Sequence, residues 1–165
     1  MTLLLGNLVS LLGCVLMVAV GFIRKKERIL TVQCFQLMLM GTGNLILGAF
    51  SGVVANLVGI VRNLVFTKKQ VNLPLKLLFI GIQLLLSLSA LKNGMIEWLP
   101  ILSAGLFTWF LDTKSERTLK IIIMITTAMW LVYDLWYCNY VAMTFDALTL
   151  ISNAIGIFML KKQTN

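Results

Sequence analysis

Charged residues in this chain sit in short clusters, and the runs between the clusters are apolar and close to membrane-spanning length. A bilayer core of ~30 Å needs ~20 apolar residues in a helix, and ~17 can suffice. Seven runs approach or meet that length: Leu3–Ile23, Ile29–Ala49, Gly52–Phe66, Leu75–Leu91, Met95–Leu111, Leu119–Tyr137 and Val141–Leu160. The breaks between them are short, which leaves no room for a soluble domain. Of the 165 residues, 12% are charged and 59% hydrophobic. A water-soluble domain carries ~25% charge, so there is too little polar surface here to coat a ball of this size. The chain reads as an all-α membrane protein with seven transmembrane helices.

The basic residues give a direction to that reading. With the N-terminus outside, Arg24, Lys25, Lys26, Arg28, Arg62, Lys68, Lys69, Lys76, Lys114, Arg117, Lys120, Lys161 and Lys162 fall on the cytoplasmic side, and only Lys92 falls outside. Excess Lys and Arg mark cytoplasmic loops, so the C-terminus is expected inside. The net charge of +8 is therefore read as a topology signal at a membrane surface, not as a nucleic-acid footprint. The first run has no basic segment before it and no small-residue cleavage site before Arg24. It is kept as a span and not as a signal peptide.

A shift of 90 residues superimposes the rare polar residues of the runs: Asn44 on Asp134, Asn56 on Asp146, Asn63 on Asn153. The basic loop from Arg24 falls on the loop from Lys114. Spans one to three then match spans five to seven, with the fourth left over. One odd span lies between the two triplets and restores the direction, so both halves run the same way and the expected repeat is parallel, 3+1+3. The division is residues 1–70, a linker helix at 71–92, and 93–165.

Ionisable groups inside a bilayer cost ~2.5–3.5 kcal/mol on insertion scales, and so mark bundle interiors or wet cavities. Asp134, Asp146 and Arg62 are the expensive ones. Asn44, Asn56, Asn63, Ser152 and Asn153 are cheaper members of the same set. Asn44, Asn56, Asp134 and Asp146 form an outer polar layer on the expected topology; Arg62, Asn63, Ser152 and Asn153 form an inner one. Asn and Ser also serve as hydrogen-bond glue between membrane helices, and Arg62 is close enough to Lys68 to snorkel or to act as a cytoplasmic gate. Trp130 and Tyr133 offer an aromatic wall or simple packing. Asp134 and Asp146 are the proton-coupling candidates. Glu97, beside Trp98, reads as an interfacial residue, and Pro100 as a kink in the fifth span.

The excluded classes are equally informative. Histidine is absent, and Cys14, Cys34 and Cys138 have no metal-like spacing, so they read as small apolar fillers. No Ser/His/Asp set, metal cluster or phosphate loop occurs. The expectation is no catalytic residue, no metal, no cofactor and no enzyme.

Two stretches carry a resemblance. Leu45-Ile46-Leu47-Gly48-Ala49-Phe50-Ser51-Gly52, then Asn56 and Val61-Arg62-Asn63-Leu64-Val65-Phe66, resemble the YgjV family of bacterial inner membrane proteins. So do Trp130-Leu131-Val132-Tyr133-Asp134, then Asp146 and Ile151-Ser152-Asn153-Ala154-Ile155-Gly156-Ile157. The likeness spans almost the whole chain. That family is similar in layout to the SWEET, PQ-loop and PnuC superfamily, which implies a 3+1+3 parallel repeat of SWEET-like kind in the inner (plasma) membrane. The functional expectation is a small-solute transporter, by gradient-driven uniport or proton coupling, for a polar metabolite such as a sugar, nucleoside or vitamin. The rival is a receptor or assembly factor that transports nothing. The expected partners are the lipid bilayer and a small molecule, with no nucleic acid; a homo-oligomer is compatible with the pattern.

Topology is directly testable. Reporter fusions after Arg28, Lys69 and Arg117 should read cytoplasmic, and one after Asn93 external. A cytoplasmic signal at Asn93 would sink the seven-span order.

Overall fold

The computed structural model describes residues 1–20, 26–69, 71–88, 91, 94–113 and 115–163; side chains at 18–20, 26, 27, 29, 116, 119, 156 and 158–163 are left aside. Arg24, Lys25, Lys92, Asn93 and Lys114, which carry part of the topology argument, lie outside the described residues.

Among the described residues the chain forms seven α-helices and no strand: α1 (Thr2–Val20), α2 (Lys26–Leu47), α3 (Phe50–Lys68), α4 (Leu73–Leu88), α5 (Trp98–Phe110), α6 (Glu116–Trp136) and α7 (Tyr140–Gln163). A 3-10 turn, Gly94–Glu97, leads into α5. Each helix overlies one apolar run of the sequence. Leu30–Leu47 and Phe50–Lys68 are long and apolar enough to cross a membrane, and Thr2–Met17, Leu73–Leu88, Gly94–Phe110 and Tyr140–Ile155 are shorter apolar helices.

Local chemistry sets several boundaries. Asn72 Oδ1 accepts the Leu75 N–H at 3.1 Å, and Pro74 follows in the first turn of α4, where a missing N–H costs nothing. Ser115 Oγ caps α6 through the Thr118 N–H. Pro100 falls in the first turn of α5. The sequence reading of a mid-span kink is corrected accordingly, because Pro is tolerated there and the helix starts around it.

The helices close into a ring. α2 lies between α1 and α3, α6 lies between α5 and α7, and the halves meet where α1 touches α7 and α3 touches α5. α4 stands outside this ring, packed on α3 and α5. Leu30, Val58, Phe66 and Phe79 form its apolar contact, with the Phe66 and Phe79 rings edge to face at 5.5 Å. Lys76 Nζ fixes the other side, donating to Trp109 O at 2.7 Å and to Asp112 Oδ1 at 2.5 Å. That hydrogen bond from Lys76 holds the Asp112 carboxyl below its usual range.

Burial runs opposite to that of a soluble protein. Leu4, Leu12, Leu57, Val61, Leu78, Leu85, Leu148 and Ile155 are exposed, whereas Asn44, Ser51, Ser87, Glu97 and Asn139 are 0% exposed. An apolar shell around a polar interior is stable only where the surrounding solvent is hydrocarbon.

Two hairpins, α2–α3 and α6–α7, turn in the same way. Gly48 has φ +77 and Cys138 has φ +56. The Ala49 N–H donates to Asn44 O at 2.8 Å, and the Asn139 N–H donates to Asp134 O at 2.8 Å. Gly48 N–H to Leu45 O and Cys138 N–H to Leu135 O are both 3.2 Å. Every atom of the second set lies 90 residues after its counterpart. The left-handed position costs a residue with a Cβ about 1–2 kcal/mol, and one hairpin meets it with glycine while the other does not.

That difference predicts opposite outcomes at equivalent sites. Gly48→Ala should lower stability in detergent by about 1 kcal/mol, and Cys138→Gly should raise it by up to about 1 kcal/mol. Denaturant unfolding of the purified variants checks both; equal loss at both sites would show that the two turns are not alike.

Candidate functional site

The ring encloses two regions of different character. One lies at the hairpin end, beside Gly48 and Cys138. The other lies toward the basic end, where Lys68, Lys69, Asp112 and Arg117 emerge.

The hairpin end is sealed by polar contacts between the halves. The Tyr133 hydroxyl from α6 accepts the Gly52 N–H at 2.9 Å and receives the Ser51 hydroxyl at 3.1 Å. Glu97 Oε2 accepts the Ser51 N–H at 3.3 Å, so a carboxyl from the second half caps α3 of the first. Asn7 Oδ1 of α1 accepts the Val141 N–H at 3.1 Å, and its Nδ2 donates to Cys138 O at 3.1 Å, so the first half caps α7 of the second. The two caps are the same contact made in both directions: Asn7 and Glu97 are 90 residues apart, as are Ser51 and Val141. The Tyr137 hydroxyl also bonds Glu97 Oε1. A carboxylate at a helix N-terminus is further favoured by the dipole.

Gly52 permits this closure, since a Cβ there would lie 2.7 Å from Asn44 Nδ2 and 3.0 Å from Tyr133 Cε1. The Asn44 amide is fully buried, and neither its oxygen nor its nitrogen has a partner. Asp134 and Asp146 are electrostatic neighbours. They are twelve residues apart on different helices, and the α6–α7 hairpin folds them together. Asn139 Nδ2 donates to Asp134 Oδ1 at 3.2 Å, whereas Asp146 Oδ2 has no partner.

Toward the basic end the ring opens into a cavity of about 770 Å³. Both halves line it. α3 contributes Asn56, Gly59, Arg62 and Asn63; α5 to α7 contribute Phe107, Thr127, Trp130, Phe145, Thr149, Ser152 and Asn153; Gln33 and Gln36 come from α2. On α3 the spacing of three and four places these residues on one face, with Leu57, Val61 and Leu64 exposed on the other.

Arg62 does not snorkel. It is 7% exposed. Its Nε and Nη2 donate to Asn63 Oδ1 at 3.2 and 3.1 Å, and Nη1 donates to Thr108 Oγ1 at 3.1 Å. Asn63 Nδ2 continues the chain to Gln33 Oε1 at 3.3 Å, and the Phe107 ring lies 5.1 Å from the guanidinium carbon. Every acceptor is neutral. The ion pair among the described residues is Lys76–Asp112, at the edge of the bundle.

The residues singled out in the sequence therefore divide. Asn56, Asn63, Trp130, Asn153, Arg62 and Ser152 line the cavity. Asn44, Tyr133, Asp134 and Asp146 belong to the packed hairpin end. The rings of Trp130 and Tyr133 meet edge to face at 5.6 Å, joining the two regions. Cys14 and Cys34 are buried and unbonded to each other, and Cys138 is likewise free. Sequence reasoning missed Asn7 and the buried, helix-capping place of Glu97. The 90-residue shift pairs those two residues, and that signal was available in the sequence.

A polar interior, seven apolar-surfaced helices and a buried carboxyl pair define a polytopic helical membrane protein. The family model Imp-YgjV, described as bacterial inner membrane protein, matches residues 4–164. The chain belongs to that family, and its place is the bacterial inner membrane. No curated protein and no solved structure matches it.

Tyr133 is the testable centre of the seal. Tyr133→Phe keeps the ring and leaves the buried Gly52 N–H and the Ser51 hydroxyl without their oxygen partner. The expected cost is ~1–3 kcal/mol in unfolding of the detergent-solubilised protein, with Tyr133→Phe in a Ser51→Ala background costing less than the sum. Strict additivity would show that the hydroxyls do not act together.

Proposed function

We propose that the protein is a small-solute transporter of the inner membrane that works by alternating access between two parallel three-helix halves. One observation carries the reading: a solute-sized cavity lined by both halves and confined to one end, while the other end is held shut by contacts between those halves. A cavity of this size falls in the range of small-molecule sites. A seal made of a few hydrogen bonds between two bodies is an element that can open, and rigid-body rocking of repeats about a central site is how such transporters expose it to each side in turn.

The two-halves reading rests on equivalences at one offset. The hairpins share their turn and hydrogen bonds, and the helix caps are exchanged reciprocally. Ser103 Oγ donates to Thr126 O at 3.4 Å, and a Cβ on Gly13, 90 residues before it, would lie 3.4 Å from Gln36 O. Both hairpins meet at the same end of the ring, which favours a parallel repeat with α4 as the connector. What the superfamily likeness contributes is the count and sense of that repeat. The asymmetry of the basic residues supports an external hairpin end and a cytoplasmic cavity mouth.

In this reading the Asp134–Asp146 pair supplies proton coupling. The Cys14 thiol of α1 is a titratable neighbour of both carboxyls, and among the described residues no ion pair to the two carboxyls is seen. The reading calls for no catalytic residue, cofactor or nucleic acid. Bilayer lipid and the solute are sufficient partners, and a single chain contains both halves of the pathway. A receptor with the same ring would bind a solute without moving it.

Proteoliposomes decide between the two. The protein should be stabilised by members of one solute class and should accumulate that class, faster with an imposed pH gradient. Asp146→Asn should fold and retain binding while the pH-gradient effect falls at least fivefold; an unchanged gradient response would remove the pair from coupling. Tight binding with no flux at any pH would favour the receptor.

A further inference from the structure

The solute's charge can be argued from the cavity's unused hydrogen-bonding capacity. A guanidinium has five N–H groups. Three of those on Arg62 are used, on Asn63 and Thr108, which leaves one on each terminal nitrogen. Asn56 Nδ2 is buried, lines the same cavity and has no acceptor. Asn56 and Arg62 are both over nine-tenths buried.

Both lie on the cavity-lining face of α3. Arg62 Nη2 would lie 3.9 Å from a Cβ on Gly59, so the guanidinium extends back along α3 over Gly59. Asn56 is one helical turn beyond Gly59, a rise of about 4.5 Å. Donors from two side chains thus lie on the cavity-lining face of α3 on either side of Gly59, against which Leu37 packs. No carboxylate neutralises the cation among the described residues. The rest of the lining is mainly apolar: Leu37, Phe107, Ile123, Trp130, Phe145 and Leu148.

We propose that the cavity binds a small organic anion, its carboxylate or phosphate head held by Arg62 and Asn56 and its apolar body against Phe107, Trp130 and Phe145. The proposal rests on the transporter reading for its biological use, though not for its chemistry. Arg62 suits the task because its planar fork bonds two oxygens of one head group and stays charged. A sugar or neutral nucleoside would leave the cation uncompensated. An anion would convert an uncompensated buried charge into a pair, and the polar end of the solute would then face away from the apolar wall.

The test uses the full-length protein in phosphatidylcholine nanodiscs, with four probes of one shape: benzoate, phenylphosphonate, benzamide and benzylamine. Thermal stabilisation should follow charge, with an anion binding at least tenfold more tightly than benzamide and benzylamine giving no shift. Arg62→Gln should abolish that preference, Arg62→Lys should retain part of it, and Asn56→Ala should weaken the anion several-fold without affecting benzamide. The wild-type comparison needs no variant to fold. Replacing part of the lipid with phosphatidylglycerol separates soluble anions from lipid head groups: loss of the benzoate shift would overturn the soluble solute and assign the site to lipid phosphate. Benzamide binding as tightly as benzoate would overturn the anion assignment and leave transport standing. Charge-selective binding without uptake into proteoliposomes would leave the anion site standing and overturn transport.

Discussion

In hydrocarbon a polar side chain can bond only to other protein groups or to what the protein encloses. That constraint organises this molecule. Asn7, Ser51, Glu97, Tyr133 and Asn139 satisfy it through bonds that cross between helices. Arg62 satisfies it in part, through Asn63 and Thr108. Asn44, Asn56 and Asp146 each keep a buried polar atom with no partner. The bonds that cross between the halves gather at the hairpin end, where the ring is closed, although Asn44 and Asp146 there keep unpartnered atoms. Around the cavity, Arg62 and Asn56 carry the unspent donors.

The seal is also where the halves recognise each other. A helix N-terminus leaves N–H groups with no intrahelical acceptor, and in lipid no water can take them. α3 and α7 each obtain an acceptor from the opposite half, Glu97 for one and Asn7 for the other. The residues differ in charge, so the equivalence is geometric and not chemical. Contacts within each half are extensive, while the seam between halves at the hairpin end is made of these few directed bonds. Such a division permits the halves to move as bodies without losing their own packing.

Much of this was legible in the sequence, for physical reasons that can be named. Apolar length located all seven helices, since hydrocarbon thickness fixes how many residues a crossing needs. The 90-residue shift was visible through Asn44 and Asp134 because polar residues are rare in such runs, so each coincidence carries weight. Depth along the ring was harder. Asn44 and Asn56 both looked like pathway residues, yet only Asn56 reaches the cavity, because which side of a helix faces a cavity depends on its neighbours. Glu97 looked interfacial from its Trp neighbour, and its partner, the start of α3, is distant in sequence. Asp134 and Asp146 were legible as costly residues, but their approach depends on how the α6–α7 hairpin folds about Cys138. Arg62 lay near enough to Lys68 for a surface role, and only packing against Phe107 and Thr108 decides against it.

The exchanged caps have a consequence for the history of such a chain. A half-length polypeptide ending after α3 would carry both a cap acceptor on its first helix and an uncapped third helix. It could not join them within itself, because the acceptor in this structure reaches the opposite half. Two identical copies would satisfy both needs by facing each other. A self-complementary homodimer of three-helix units would be a self-sufficient object by the same chemistry, and two such units joined through one more crossing would reproduce the exchanged caps. In a joined chain each side could drift separately, so that an amide at Asn7 and an acid at Glu97 could hold the same post.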